Sequence, residues 1–476
     1  MDLNALVKLI NLLNVLQIAK KRNYISFFLE KGDKMNFNDI KNMNNLDKLI
    51  TKTRLEKNSY ILSMLLIFTP LLIFFLNLIL PSATNSIWLT LILLLGLLTN
   101  LNAFLYVYKL YKEHGKNFII SHLKSNKYII FLFLYIIWCF ISCFFSSNKF
   151  KSFFGTDYLC ESFLCFLAYF GIFSNGIFIK NKDLLKKILT FFVISVSLIS
   201  IVTLLSYYFN LNFHFFRRFT SIFMNENHYA YYINIGLIAN TCLILFYDNK
   251  KLNIIYTVLY LINCHMLILN DTLGCFLAFI CTLFLIFVYL LITKRNLSKF
   301  IILVISLIII CFVNRNIVLN NFSSFFGDII SIEKNISKKD DIKKIYNTGS
   351  NRMGLWLVTI QLIEEKPVFG YGIGNLLEQY IRVNKSEITS RPHNEYLQVG
   401  VSIGIPGLIF YLLFLGLLIF KVIVNIKKIS NFEVSILFII VTYLVSSFFG
   451  VSIFYTTPYL YLFLGLLSCF VIKNKY

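Results

Sequence analysis

Long apolar segments separated by short polar ones dominate the chain of 476 residues. As helices, segments such as 60–80 and 274–293 are long enough to cross the roughly 30 Å hydrocarbon core of a bilayer. The strict alternation of apolar and polar positions that a membrane β-barrel requires is absent. The pattern therefore predicts an all-α, polytopic integral membrane protein with about twelve transmembrane helices. The predicted spans are 60–80, 87–108, 128–145, 160–179, 187–208, 229–247, 254–270, 274–293, 300–314, 396–420, 432–450 and 454–471.

These spans divide the chain into four regions. Residues 1–59 form a polar N-terminal segment, 60–314 carry spans 1–9, 315–395 form one large loop, and 396–476 carry spans 10–12. A polar segment before the first apolar one is the wrong order for a cleavable signal peptide. Within this segment, one helical face carries four leucines, Leu6, Leu9, Leu13 and Leu16. That face indicates either a helix lying on the inner membrane surface or a weakly ordered tail.

Composition supports the membrane assignment. The chain is 58% hydrophobic and 14% charged, which is far from the balance of a soluble domain. A net charge of +22 would suggest nucleic acid in a soluble protein. Here the basic residues lie mostly at the ends of spans, so they indicate topology, and no nucleic-acid partner is expected. The abundance of Lys, Asn and Ile, whose codons are AT-rich, indicates a bacterial source.

The distribution of basic residues predicts the orientation. With the N-terminus in the cytoplasm, the cytoplasmic tail and loops hold 30 of the 45 Lys and Arg residues, and the short outer loops hold four. The other eleven lie in 315–395, and long loops escape the positive-inside rule. We therefore expect a multi-pass plasma-membrane protein with both termini cytoplasmic and an extracytoplasmic loop at 315–395.

The large loop divides into two predicted parts. Residues 315–350 are polar and read as irregular, whereas 350–385 read as helical with Ser350 as N-cap. The predicted apolar stripe of this helix is Trp356, Ile360 and Ile363. Pro367 and the glycines of 370–374 end it, and a second short helix follows from Asn375. The Gly-x-Gly-x-Gly spacing of 370–374 lacks the preceding strand of a dinucleotide site, so it reads as a turn.

Candidate chemistry on the outer side centres on Arg352, Arg391 and His393. Arginines and a helix N-terminus suit a phosphorylated lipid, and a neutral histidine can accept a proton from an attacking hydroxyl. Arg352 and His393 are the catalytic candidates. The alternative is that the arginines snorkel to lipid phosphates and that His393 caps the tenth span. The predicted substrate-binding residues are Arg217, Arg218, Asn227, Trp356, Arg391 and Asn394.

Four motifs in order give these residues a wider context. They are Asn351-Arg-Met-Gly-Leu-Trp356, Glu365-Lys-Pro-Val-Phe-Gly-Tyr-Gly-Ile-Gly374, Pro392-His-Asn-Glu-Tyr-Leu397 and Gly404-Ile-Pro-Gly407. This succession resembles the signature of the O-antigen ligase and polymerase superfamily, with a family-like region at 128–420. The stretch from Arg218 to Ala230 resembles an upstream family motif but carries Glu226 where proline is usual. Phe154-Gly155 also fits, whereas Asp271-Thr-Leu-Gly274 lacks the usual arginine.

The resemblance implies a membrane glycosyltransferase with a helical, GT-C-like fold. Such an enzyme moves a glycan from a polyprenyl diphosphate carrier, such as undecaprenyl diphosphate, to an acceptor hydroxyl on the outer face of the plasma membrane. The implied partners are a lipid-linked glycan donor, a saccharide or lipid-linked acceptor, and membrane lipid. The resemblance implies no metal site and no other cofactor.

Three alternatives remain open at this point, and one of them is a structural scaffold without activity, for which the outward Arg and His would be dispensable. A polymerase of the same superfamily would join two lipid-linked repeat units, and the sequence does not distinguish it from a ligase. A lipid-linked glycan flippase is a more distant alternative, because flippases carry charges inside the bundle and often show internal repeats.

Overall fold

The computed structural model describes residues 52–79, 84–155, 161–211, 219–223, 225–247, 249–337, 352–383, 391–426 and 429–473. These residues form helices and connecting loops, which confirms the all-α class. The expected surface helix of the N-terminal segment, the Ser350 cap, and the candidates Arg217 and Arg218 lie outside the described residues.

The described helices are numbered here in chain order. They are α1 (Lys52–Ile79), α2 (Thr84–Ser125), α3 (Lys127–Phe144), α4 (Lys149–Phe154), α5 (Phe163–Ile177), α6 (Lys182–Phe209), α7 (Glu226–Phe246), α8 (Lys250–Leu269), α9 (Leu273–Thr293), α10 (Leu297–Val313), α11 (Arg315–Ser337), α12 (Arg352–Glu365), α13 (Leu376–Val383), α14 (Glu395–Val424), α15 (Asn431–Ser446) and α16 (Thr457–Lys473).

Every predicted span coincides with an apolar helix, although the helices differ in length. Eight of the described helices are long and apolar enough to cross a membrane, namely α1, α2, α3, α6, α7, α8, α9 and α14. The helix α10 continues into α11 through a bend of 91° and gives a ninth candidate. The remaining predicted spans correspond to α5, α15 and α16, whose apolar parts are shorter. The polytopic membrane class is therefore confirmed.

Two expectations for the large loop were wrong in detail. Residues 315–337 form α11 instead of irregular chain, because apolar residues such as Val318 and Phe322 recur at helical spacing among the polar ones. In α12 the buried face carries Leu355, Val358 and Leu362, whereas Ile360 of the predicted stripe is 44% exposed. Apolar residues occur on most sides of α12, so their spacing could not predict which face is buried.

The helix α7 lies at the centre of the bundle and is almost wholly buried against α6, α8, α9 and α15. Because lipid is as apolar as a leucine side chain, close packing and hydrogen bonds hold such helices together. Asn234 of α7 donates to the Cys275 carbonyl of α9 at 3.0 Å and to the Ser446 hydroxyl of α15 at 3.2 Å. One amide therefore ties three helices together.

The loops that carry the candidate chemistry meet at one end of the bundle. Asn270 donates to the Phe219 carbonyl at 2.8 Å, and the amide of Glu395 donates to the Ser447 carbonyl at 2.9 Å. Asn321 of α11 donates to Asp271 at 2.6 Å. The turn at 270–272 thus acts as a polar joint between α8, α9 and α11.

Candidate active site

A break in α14 anchors the glycine turn of the large loop. Gly404 has φ of +80°, and Pro406 follows it, so the helix loses its regular hydrogen bonds here. The freed Val401 and Ser402 carbonyls accept from the amides of Tyr371 and Gly372 at 3.0 and 2.8 Å. Within a membrane-spanning helix, non-helical backbone is tolerated where protein covers it and satisfies its polar groups.

Gly372 shows why the turn requires glycine. Its φ is +93°, and a Cβ there would lie 2.2 Å from the Cβ of Ser146. The turn packs against the end of α3 and against α4, where Ser152 donates to the Ile373 carbonyl at 3.0 Å. The turn interpretation of 370–374 therefore agrees with its geometry, and the turn fixes how α12 and α13 lie against α14.

The segment that leads into α14 presents His393. Asn394 is the N-cap of α14, and its side chain accepts from the Leu397 amide at 3.1 Å. The alternative in which His393 caps this helix is therefore wrong. His393 precedes the cap with φ of +51°, a left-handed conformation that is uncommon for residues other than glycine.

Trp356 connects α12 to the same segment. Its indole Nε1 donates to the Pro392 carbonyl at 3.0 Å, next to His393. Trp356 sits one helical turn after Arg352, so this bond sets where the first turn of α12 lies relative to His393. Trp356 therefore positions the candidate catalytic pair.

Arg352 is half-buried in the first turn of α12. Within the described residues it forms no ion pair or hydrogen bond, and burial lowers the pKa of its guanidinium. A half-buried charge with no partner in the described part of the chain is costly, so the position favours binding of an anion. The helix N-terminus beside it adds positive potential of the same sign.

The electrostatics around His393 keep its ring neutral. Burial, followed by the positive charges of Arg352 and Arg391, lowers its pKa to about 4. Neither ring nitrogen has a hydrogen-bond partner among the described residues. A neutral imidazole with open nitrogens can accept a proton from a hydroxyl group.

Arg391, two residues before His393, is buried. Its Nη1 donates to the Ser452 carbonyl at 2.8 Å, in the loop before α16. The Ser452 hydroxyl donates to Glu161 at 3.1 Å, and Gln398 of α14 donates to the same carboxylate oxygen at 3.0 Å. Burial raises the pKa of Glu161 to about 7, although the charge of Arg391 opposes the shift.

Glu395 holds the first turn of α14 in place. Its carboxylate accepts from the hydroxyls of Tyr411 at 2.7 Å, Ser447 at 3.0 Å and Tyr443 at 3.3 Å. These partners come from α14, α15 and the loop after α15. The backbone that carries Arg391 and His393 is therefore tied to neighbouring elements at several points.

The structure distributes the other predicted substrate-binding residues unevenly. Asn394 serves as a helix cap, as described above. Asn227 is half-buried in the first turn of α7, and its side chain donates to Asn225 at 2.9 Å. The next residue, His228, is buried, contacts the Tyr455 ring and lies within the electrostatic influence of Arg391 and His393. His228 is therefore linked to the candidate site, although the sequence prediction named its neighbour Asn227 instead.

Glu161, Gln398 and Ser452 are residues that the sequence did not single out. They come from three distant parts of the chain, and no motif links them. The available signal for Glu161 was a lone carboxylate at the start of the predicted span 160–179, where a charge is expensive unless it has a purpose.

Comparison with known proteins supports the resemblance that the motifs indicate. Residues 257–412, from α8 into α14, match the family model described as O-antigen ligase. The resemblance to the O-antigen ligase superfamily is confirmed. The matched region contains Arg352, Trp356, Arg391, His393 and the break of α14, whereas Glu161 and Asn227 precede it.

Curated relatives agree with this O-antigen ligase match. A candidate polysaccharide ligase of Rickettsia conorii is 27% identical over 314 residues, which cover 63% of this chain and 67% of that protein. A similarly named protein of Rickettsia typhi is 25% identical over 321 residues, covering 63% and 69%. One of Rickettsia prowazekii is 24% identical over 348 residues, covering 69% and 74%. The apolar helices and the bacterial relatives indicate a bacterial membrane protein.

Proposed function

We propose that this O-antigen ligase-like protein transfers a glycan from a polyprenyl diphosphate carrier to an acceptor hydroxyl during assembly of a surface polysaccharide. The observation that carries the proposal is the pairing of Arg352, a half-buried cation with no anionic partner among the described residues, with the neutral His393. An unpaired guanidinium suits a diphosphate, and a neutral imidazole suits a hydroxyl.

The proposed reaction assigns one role to each group. The ring of His393 removes the proton of the acceptor hydroxyl while its oxygen forms a bond to the anomeric carbon of the donor glycan. The bond between that carbon and the diphosphate oxygen breaks, and the electron pair leaves with the carrier. Arg352 stabilises the charge on the departing diphosphate, and Arg391, whose charge also acts on His393, belongs to the proposed substrate-binding set. Asn394, Trp356 and the Arg217, Arg218 and Asn227 stretch complete the proposed substrate-binding set.

Deletion of the gene in its own bacterium tests the proposal. A ligase defect is expected to remove the surface polysaccharide and to leave full-length glycan on the carrier at the outer face. A polymerase defect would instead leave single repeat units, and a flippase defect would leave the glycan on the inner face. Lipid extraction followed by mass spectrometry distinguishes these products, and unchanged lipid-linked pools would contradict the proposal.

The proposed reaction places the large loop outside the cell. We expect Ser337→Cys, at the end of α11, to react with an impermeant thiol reagent on intact cells, whereas Ser430→Cys, before α15, should not. Both substitutions are made in a variant without native cysteines, and permeabilised cells provide the positive control. Labelling at 430 without labelling at 337 would show that the proposed orientation is the wrong way round.

A further inference from the structure

A pocket lined by Arg391 is also lined by two residues that each have a buried oxygen atom with no hydrogen-bond partner among the described residues. These atoms are Oε1 of Glu161 and Oε1 of Gln398. Both side chains are nearly inaccessible, with exposed fractions of 3% and 7%. Their other polar atoms are bonded to each other and to Ser452, so the side chains cannot turn freely to find partners.

Unsatisfied buried acceptors are costly, and each calls for an explanation. Other buried side chains of the described residues, such as the amide of Asn263, also have an oxygen without a partner, but Glu161 and Gln398 line the same pocket. The pocket has a cavity volume of about 30 Å³, and the roughly 470 Å³ of empty space inside it includes open solvent. Arg391 also lines it, which connects the pocket to the segment that carries His393.

The chemistry of the lining indicates what the pocket binds. Two acceptors need donors on the ligand, and the positive charge of Arg391 disfavours a cation as that donor. The rest of the lining is largely apolar and includes Tyr135 and Phe166. A mostly apolar wall with a few fixed polar atoms suits a sugar, which has hydroxyl groups at its edge and C–H groups on its faces.

We propose that Glu161 and Gln398 form a saccharide subsite in which each side chain accepts a hydrogen bond from a sugar hydroxyl beside the reaction centre. The class of ligand rests on the proposed glycan transfer, whereas the two open acceptors are properties of the fold. The subsite lies between α5 and α14, so a sugar bound there reaches the transfer site from the side of Arg391.

The test measures sugar binding without turnover. The unfolding temperature of the purified full-length protein is measured with methyl glycosides of glucose, galactose, mannose and N-acetylglucosamine. A ligand well above its Kd stabilises the folded state, and we expect at least one glycoside to raise the unfolding temperature by about 2 °C or more. Glu161→Gln and Gln398→Leu should each remove that increase, because each replaces an open acceptor.

Two controls separate binding from other effects. Sugars at high concentration also stabilise proteins as excluded cosolvents, and this effect should be equal in every variant. Asn263→Leu removes another buried amide with an open oxygen, in α8, and should keep the full response. An equal response in wild type, Glu161→Gln and Gln398→Leu would overturn the subsite, as would no response in wild type.

The same measurements separate the subsite from the proposed function. His393→Ala should lose transfer yet keep the response to the glycoside. If wild type transfers glycan but shows no response that depends on Glu161 and Gln398, the subsite is wrong and the function stands. If the response is present but gene deletion leaves the lipid-linked glycan pools unchanged, the protein binds sugar and the transfer proposal is wrong.

Discussion

Replacing His393 with alanine is expected to lower glycan transfer by about 10²–10⁴-fold, the usual contribution of a positioned general base. The acceptor hydroxyl is a poor nucleophile while it keeps its proton, whereas a diphosphate departs readily. The reaction therefore depends more on a base near the acceptor than on an acid near the donor. Transfer between a lipid-linked donor and acceptor, measured with purified protein in a bilayer, checks the loss.

The pKa of His393 gives this prediction a second measurement. Burial and the charges of Arg352 and Arg391 lower the pKa to about 4, so the free enzyme holds the neutral base above that pH. We expect kcat/KM, which reports the free enzyme, to fall only as the pH drops through about 4. A bound diphosphate offsets the charges of Arg352 and Arg391, which raises the pKa of His393. The acid limb of kcat should therefore lie at a higher pH than that of kcat/KM.

Asparagine at position 393 is the matched control. Asparagine tolerates the left-handed φ of +51° better than most residues, so His393→Asn preserves the backbone and loses only the imidazole. The cap of α14 belongs to Asn394 and remains intact. His393→Asn should be as inactive as His393→Ala, with an unfolding temperature closer to that of wild type. Near-normal transfer by the asparagine variant would exclude His393 as the base.

The sequence identified best those residues whose role can be predicted from the spacing of nearby residues. The four motifs contain Arg352, the glycine turn, His393 and the Gly404-Ile-Pro-Gly407 segment, which the structure shows to be a break in α14. A turn that needs positive φ, or a proline after a glycine, can be recognised over a few residues. The apolar segments were equally readable, since a bilayer requires long uninterrupted helices.

Features that depend on distant contacts could not be predicted in this way. Gln398 lies 237 residues after Glu161, and neither residue stands in a pattern that points to the other. The buried face of α12 depends on which neighbour covers it, and its apolar residues occur on several faces. Asparagine is a residue type that commonly caps helices. Choosing between Asn394 and His393 as the N-cap of α14 nevertheless required the backbone conformation of the segment.

Replacing Arg352 with alanine is expected to reduce transfer by about 10–100-fold. A charge-assisted hydrogen bond contributes about 1.5–3 kcal/mol, and each 1.4 kcal/mol corresponds to tenfold. The diphosphate gains negative charge as it departs, so its contact with Arg352 strengthens in the transition state. We therefore expect kcat to fall as well as the apparent affinity for the donor. Arg352→Lys should restore activity only in part, because lysine keeps the charge and loses the planar fork.

Stability separates this role from a structural one. Arg352 is half-buried with no ion-pair or hydrogen-bond partner in the described residues, so its removal should leave the unfolding temperature unchanged or raise it. Arg382 is the matched control in the same loop, since it is exposed and already pairs with Glu365. Arg382→Ala should retain near-normal transfer. Full activity in Arg352→Ala, or an equal loss in Arg382→Ala, would show that the carrier diphosphate is not held by Arg352.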